Sequence, residues 1–256
     1  MPSTVLISLS SFGAAEVRRH GQLWFTRLAQ RAGADGVEVR GELLLDAQRE
    51  LPALADAARE TGMQRVFSSP VGLWSGDGRL DTDALERALA SAARFDAPRL
   101  KMSIGGFGPQ SLASLPALRE RLNDTPIELV IENDQTDSAG SLGALRDFFE
   151  AAGRHGLALG MTFDMGNWHW TGECPLQAAH ACAAHVRYVH CKGVRRQPRR
   201  WVAVPLAESA APWRGVLRAL PNDVPWAIEF PLAGEDLLEV TRGHVEHLRA
   251  VARSFQ

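Results

Sequence analysis

Eight short apolar runs alternate with eight longer amphipathic stretches from one end of the chain to the other. This rhythm constrains the fold more than any other feature of the sequence. The runs, rich in Val, Ile, Leu and Met, lie at 4–8, 36–40, 65–68, 99–103, 127–132, 158–164, 186–191 and 225–230. Stretches of helical periodicity lie near 14–32, 46–61, 81–96, 110–122, 140–155, 174–184, 209–220 and 234–253. Several runs are apolar without alternation, as parallel strands are when both faces are covered. Gly33, Gly62, Gly153 and Gly156 stand where helices should stop, and Asp81 or Thr82 can cap a start. Eight such units in 256 residues come to about 32 residues each, the size of a closed barrel. The expected fold is therefore α/β, a single (β/α)8 TIM barrel, with residues 1–256 as one domain. A doubly wound open sheet would carry a Gly-rich phosphate loop after its first strand. Here that place reads SLSSFGAAE (8–16), with one glycine.

Composition narrows the function classes. Lys plus Arg number 28 against 30 Asp plus Glu, a net charge of −2, so no overall positive field draws nucleic acid or an anionic membrane. Cys174, Cys182 and Cys191 are too few and too irregular for a disulfide framework. No apolar run approaches a membrane span, and the N-terminus lacks the basic region of a signal peptide. A cytoplasmic protein is expected, without nucleic-acid or membrane partners.

A barrel places its chemistry at the C-terminal ends of its strands. Those ends carry Glu38, Lys101, Glu132, Asp164, His190 with Lys192, and Glu229. From Glu132 to Asp164, His190 and Glu229 the spacings are 32, 26 and 39 residues, about one unit each, so four neighbouring strands aim at one spot. Side-chain alternation puts Val130, Thr162, Tyr188 and Ala227 on the same inward faces. Any one of these groups could cap a loop or a helix N-terminus. Three carboxylates and an imidazole together would repel and raise one another's pKa unless a cation joined them. The set suits one divalent metal ion, Mn2+ first, with Mg2+, Co2+ or Zn2+ as alternatives.

The segments GADGVEVR (33–40), ELVIEND (128–134), FDMGNWHW (163–170), YVHCKGV (188–194), AVPLAES (203–209) with Trp213, and WAIEF (226–230) span the chain in order. This ordered set resembles the xylose isomerase-like TIM-barrel superfamily, in particular its sugar phosphate isomerase/epimerase group, which also holds dehydratases. The resemblance implies that Glu132, Asp164, His190 and Glu229 are metal ligands and that Glu132 and Glu229 move protons. Where the group often has Asp-x-x-His, this chain has Asp164-Met-Gly-Asn167; Asn can bond a hydroxyl but is a poorer base. The group's Gly-Glu-Gly reads Ala207-Glu208-Ser209, and Gly193 stands where Asp commonly follows His-x-Lys. A DNA-repair nuclease of the same superfamily needs several site histidines, whereas the eight here mostly fall on expected helices.

The resulting expectation is a metal-dependent isomerase or epimerase of a ketose, sugar phosphate or related hydroxy-keto compound. Its alternatives are a dehydratase of an inosose- or dehydroshikimate-like substrate and a catalytically silent barrel that binds a sugar or a protein. Glu132 and Glu229 are assigned as catalytic ligands. Lys192 is assigned to polarise a carbonyl or assist a leaving hydroxyl. Glu38, Lys101, Asn167, Trp168, His169 and Arg195 are candidate substrate contacts. The stretch RRQPRRW (195–201) reads as a loop able to grip an anion. The substrate partner is a sugar or hydroxy-keto acid, and a homo-oligomer is left open.

Overall fold

Residues 4–255 are described by the computed structural model. Residues 1–3 and 256, which the one-domain expectation included, lie outside them. Strands β1 (Val5–Ser8), β2 (Gly36–Arg40), β3 (Gln64–Ser68), β4 (Arg99–Met102), β5 (Glu128–Glu132), β6 (Gly160–Asp164) and β7 (Val186–Cys191) pair in parallel, each with the next. A hairpin of β8 (Gly193–Gln197) and β9 (Arg200–Val204) follows, and β10 (Trp226–Ile228) then closes the barrel between β7 and β1. The outer ring contains α1 (Ala14–His20), α2 (Gln22–Arg31), α3 (Ala47–Glu60), α4 (Thr82–Arg94), α5 (Leu115–Asn123), α6 (Asp137–Gly140), α7 (Leu142–Arg154), α8 (Pro175–Cys182), α9 (Trp213–Ala219) and α10 (Leu237–Arg253).

Local chemistry explains the helix ends. The side chains of Asp46, Asp81, Ser141 and Asp236 each accept from backbone N–H groups in the first turn of α3, α4, α7 and α10. The expected single helix over 14–32 is two helices, broken at Gly21 with φ 80°. The expected helix over 140–155 likewise starts anew at the Ser141 cap.

The largest departure is 195–201. It is no loop: β8 and β9 pair antiparallel, Gly193 opposite Val204 and Gln197 opposite Arg200. The barrel and its helices share one large core, while Leu6, Val66, Tyr188 and Ala227 form a separate cluster inside the barrel. Two residues on from several inward positions the lining turns polar: Ser8 follows Leu6, His190 follows Tyr188, and Glu229 follows Ala227. Glu128, at the other end of β5, instead faces solvent and pairs with Arg99 at 2.7 Å. The site therefore sits on an apolar plug, at the C-terminal mouth of the strands.

Candidate metal centre

Glu132 ends β5, Asp164 ends β6, His190 lies near the end of β7, and Glu229 follows β10. Each offers a donor atom, and the four atoms lie within 4.8 Å of one another. The β-sheet register sets this convergence, with Asp164 directly opposite His190 and His190 opposite Ala227, two residues before Glu229.

Asp164 is held from three sides. Its Oδ1 accepts from the backbone N–H groups of Gly166 and Asn167 at 2.8 and 2.9 Å. The Asn133 side chain clips its backbone, accepting from the Asp164 N–H at 2.8 Å and donating to its carbonyl at 3.0 Å. Oδ2 is left facing the centre, buried and ion-paired with Lys192 Nζ at 2.6 Å.

His190 has carboxylates at both ring nitrogens. Nε2 meets Glu38 Oε2 at 2.8 Å, while Nδ1 faces Glu229 Oε2 at 2.9 Å and Glu132 Oε1 at 3.0 Å. A carboxylate behind the outer nitrogen is the usual way to fix the tautomer and direction of a metal-binding imidazole. Three further cations balance the carboxylates. Lys101 Nζ bridges Glu132 at 2.6 Å and Glu38 at 3.3 Å, Lys192 Nζ also lies 2.8 Å from Glu229, and Arg40 Nη1 lies 2.6 Å from Glu229.

These contacts decide the protonation states. Burial pushes the Glu38 carboxyl up, but His190, Lys101 and Arg40 overcome it and hold it at about 2. Glu132 and Glu229 are likewise held below the ordinary carboxylate range against burial, by Lys101 and His190 and by His190 and Lys192 respectively. Asp164 moves the other way, because burial outweighs Lys192. Burial disfavours charge on His190, yet Glu229 and Glu38 raise its pKa well above the ordinary value. Three carboxylates and one imidazole nitrogen around a common point fit a hard divalent cation.

The other expected contacts fall differently. Glu38 and Lys101 are sealed beneath the four donor residues, in contact with His190 and Glu132. The Asn167 amide is engaged by protein: Nδ2 donates to the Asn133 carbonyl, and Oδ1 accepts from Gln135 and Lys192. Trp168 does not fit the expected substrate contact, since its ring is fully buried against Phe163, centroids 5.3 Å apart. The His169 ring lies 4.7 Å from that of Trp201 on the hairpin, and burial lowers its pKa. Arg195 is exposed on β8, 3.5 Å from Glu208, and does not join the cluster. Gly166 makes room for Lys192: a Cβ there would lie 2.8 Å from Lys192 Cδ.

Sequence reasoning missed Arg40 and Asn133. Arg40 lies two residues beyond Glu38, so the alternation that turns Glu38 inward also predicts Arg40. Asn133 gave no such signal, because it bonds sideways to the neighbouring strand.

A family model described as xylose isomerase-like TIM barrel matches residues 26–250. No curated protein matches the chain in sequence. Among solved structures, the chain is similar to the probable 3-DHS dehydratase AsbF from Bacillus anthracis, with 14% identity and a TM-score of 0.72, covering 96% of this chain and 98% of that one. It is also similar to an L-ribulose 3-epimerase, with 15% identity, a TM-score of 0.73, and 99% and 95% coverage. A D-allulose 3-epimerase from Methylomonas sp., in complex with D-allulose, matches with 15% identity and a TM-score of 0.69 over 97% of each chain. At these identities the likeness is one of fold.

Proposed function

The chain belongs to the xylose isomerase-like TIM-barrel family, and on that premise we propose that it is a divalent-metal-dependent isomerase or epimerase. Its substrate would be a ketose, a sugar phosphate or a related hydroxy-keto compound, and its metal Mn2+. The observation that supports this reading is the donor set of Glu132, Asp164, His190 and Glu229, gathered within 4.8 Å at the barrel mouth.

These four residues would hold the ion, which when bound supplies Lewis-acid stabilisation for negative charge developing on the substrate's oxygens. The chain's own residues do the rest. One carboxylate of the pair Glu132 and Glu229 takes the proton from the carbon beside the carbonyl, leaving an enediolate. The opposite carboxylate returning a proton to the same carbon inverts it, an epimerisation, whereas return of the proton to the neighbouring carbon gives the isomer. Lys101 and Arg40 keep Glu132 and Glu229 ionised and aimed, and Glu38 keeps the His190 ring in place. The buried floor limits access of water to the enediolate.

Lys192 favours one second reading, a dehydratase. Its ammonium is held among Asp164, Glu229 and Asn167, where it could protonate a hydroxyl leaving from the carbon next to the enolate. Metal content after Mn2+ loading and gel filtration, beside Asp164→Ala, tests both readings. About one ion per chain in the wild type and none in the variant is expected, followed by exchange of ketose α-protons in D2O. No retained metal in the wild type would refute the proposal.

A further inference from the structure

Beneath the mouth, Glu38, Lys101, Asp164 and His190 are sealed from solvent. The charged groups that an incoming molecule can touch are Glu132, Glu229, Arg40 and Lys192. Once the two carboxylates are committed to an ion, the exposed members of the cluster that remain are both cations, Arg40 being also paired with the partly exposed Glu42. Arg40 is 18% exposed and Lys192 10%.

Arg40 is the better anchor. Its Nε donates to Glu42 at 2.9 Å and its Nη1 to Glu229 at 2.6 Å and Glu38 at 3.3 Å. Among the described residues its Nη2 makes no hydrogen bond, so the guanidinium is fixed through Nε and Nη1 and keeps Nη2 as a charge-assisted donor for an oxyanion. Charge counting is compatible with this. Glu38, Glu42, Glu132, Asp164 and Glu229 oppose Arg40, Lys101 and Lys192, which leaves two negative charges when His190 is neutral. A divalent ion brings that to zero, so no surplus negative charge faces an incoming anion.

The surroundings add to it. The hairpin leans on the loop after β6 through Trp201 and His169, with Arg196 stacked over the Trp201 ring at 5.2 Å. Arg195, Arg196, Arg199 and Arg200 all stand exposed on it, so the hairpin carries positive charge beside that loop.

We infer that the substrate is an anionic hydroxy-ketone, its carboxylate or phosphate taken by Arg40, and that Arg40 selects it over neutral ketoses. The inference rests on the metal-site reading above and names the substrate class of that same site.

The test is calorimetric binding to Mn2+-loaded protein of three ligands sharing one ketose frame: D-fructose, D-fructuronate and D-fructose 6-phosphate. At least one of the two anions is expected to bind about tenfold or more tightly than D-fructose, and which one identifies the anionic group. In Arg40→Met that preference is expected to shrink to about threefold or less, while Mn2+ affinity holds or rises because a competing cation has gone. Arg40→Lys, which keeps the charge and loses the fork, should fall between. D-Fructose binding as well as both anions, or no binding by any of the three, would overturn the inference while Mn2+ retention leaves the functional reading standing. An anion preference that survives Arg40→Met intact would also overturn it. Failure to retain Mn2+ would take down both.

Discussion

Binding of a divalent cation is expected to expel about one proton per ion, and the proton comes from His190. Ionised carboxylates only accept hydrogen bonds. With Glu38 Oε2 2.8 Å from Nε2, and Glu229 and Glu132 oxygens 2.9 and 3.0 Å from Nδ1, both ring nitrogens of the metal-free protein must carry hydrogen. The carboxylates Glu229 and Glu38 raise the His190 pKa well above its ordinary value against burial, so the ring remains an imidazolium at neutral pH. Coordination through Nδ1 requires the lone pair there, so that proton must leave while the Nε2–H to Glu38 stays. One proton released makes the apparent affinity rise about tenfold per pH unit, or about 1.4 kcal/mol, below the His190 pKa. Calorimetric titration of Mn2+ at pH 7 in buffers of different ionisation enthalpy reads the number directly, as the slope of observed heat against buffer enthalpy. A slope near zero with stoichiometric binding would refute the argument. It would mean that His190 enters the site neutral and that Nδ1 faces two carboxylates without a proton.

Further outcomes follow from the same geometry. In Gly166→Ala the new methyl would press on Lys192 Cδ, so in the dehydratase reading the loss of water is expected to fall about 10–100-fold with Mn2+ retained; a wild-type rate of water loss would show that Lys192 has no part in it. Glu38 is depressed to about 2, so its stabilisation of the metal-free fold is complete above its unfolded value of 4.5 and is lost as pH falls toward 2. The stability difference between wild type and Glu38→Gln in denaturant should therefore narrow over that acid range, and a difference that widened would contradict the assignment. Cys174 is exposed, whereas burial pushes the Cys182 thiol up to about 11 and raises Cys191 further. One thiol per native chain should react rapidly with a maleimide at pH 7 and three after unfolding, as counted by mass spectrometry.

The strands were legible because a barrel strand is covered on both faces and leaves a run of apolar residues; β2 and β7 coincide with their sequence-based ranges. The four candidate donors were legible for a related reason. A carboxylate or imidazole closing such a run has nowhere to go except the barrel mouth. Arg40 obeyed the same alternation as Glu38 and was passed over because a charged residue at a strand's edge is usually solvated. The β8–β9 hairpin hid behind its own arginines. Apart from one proline, Arg195 to Arg200 are polar, and the short apolar run Trp201 to Val204 that follows runs straight into Pro205. Trp168 illustrates the opposite difficulty. Residues between elements suggest a surface, yet this loop turns one ring down into the core and leaves its neighbour His169 half exposed.

The Asn133 clip has a consequence for how such a protein can change. Because one amide ties the end of β5 to the end of β6 in both directions, Glu132 and Asp164 belong to the barrel wall as two staves pinned together. The hairpin from Gly193 to Val204 carries none of the four donors and meets the rest of the chain through Val194 on Ser209 and Trp201 on His169. Its length, charge and aromatic content can drift while the bite on the ion stays constant. An engineer could therefore graft a different hairpin here, as one changes a tool in a fixed chuck, and expect a new clientele of substrates with the same grip on metal.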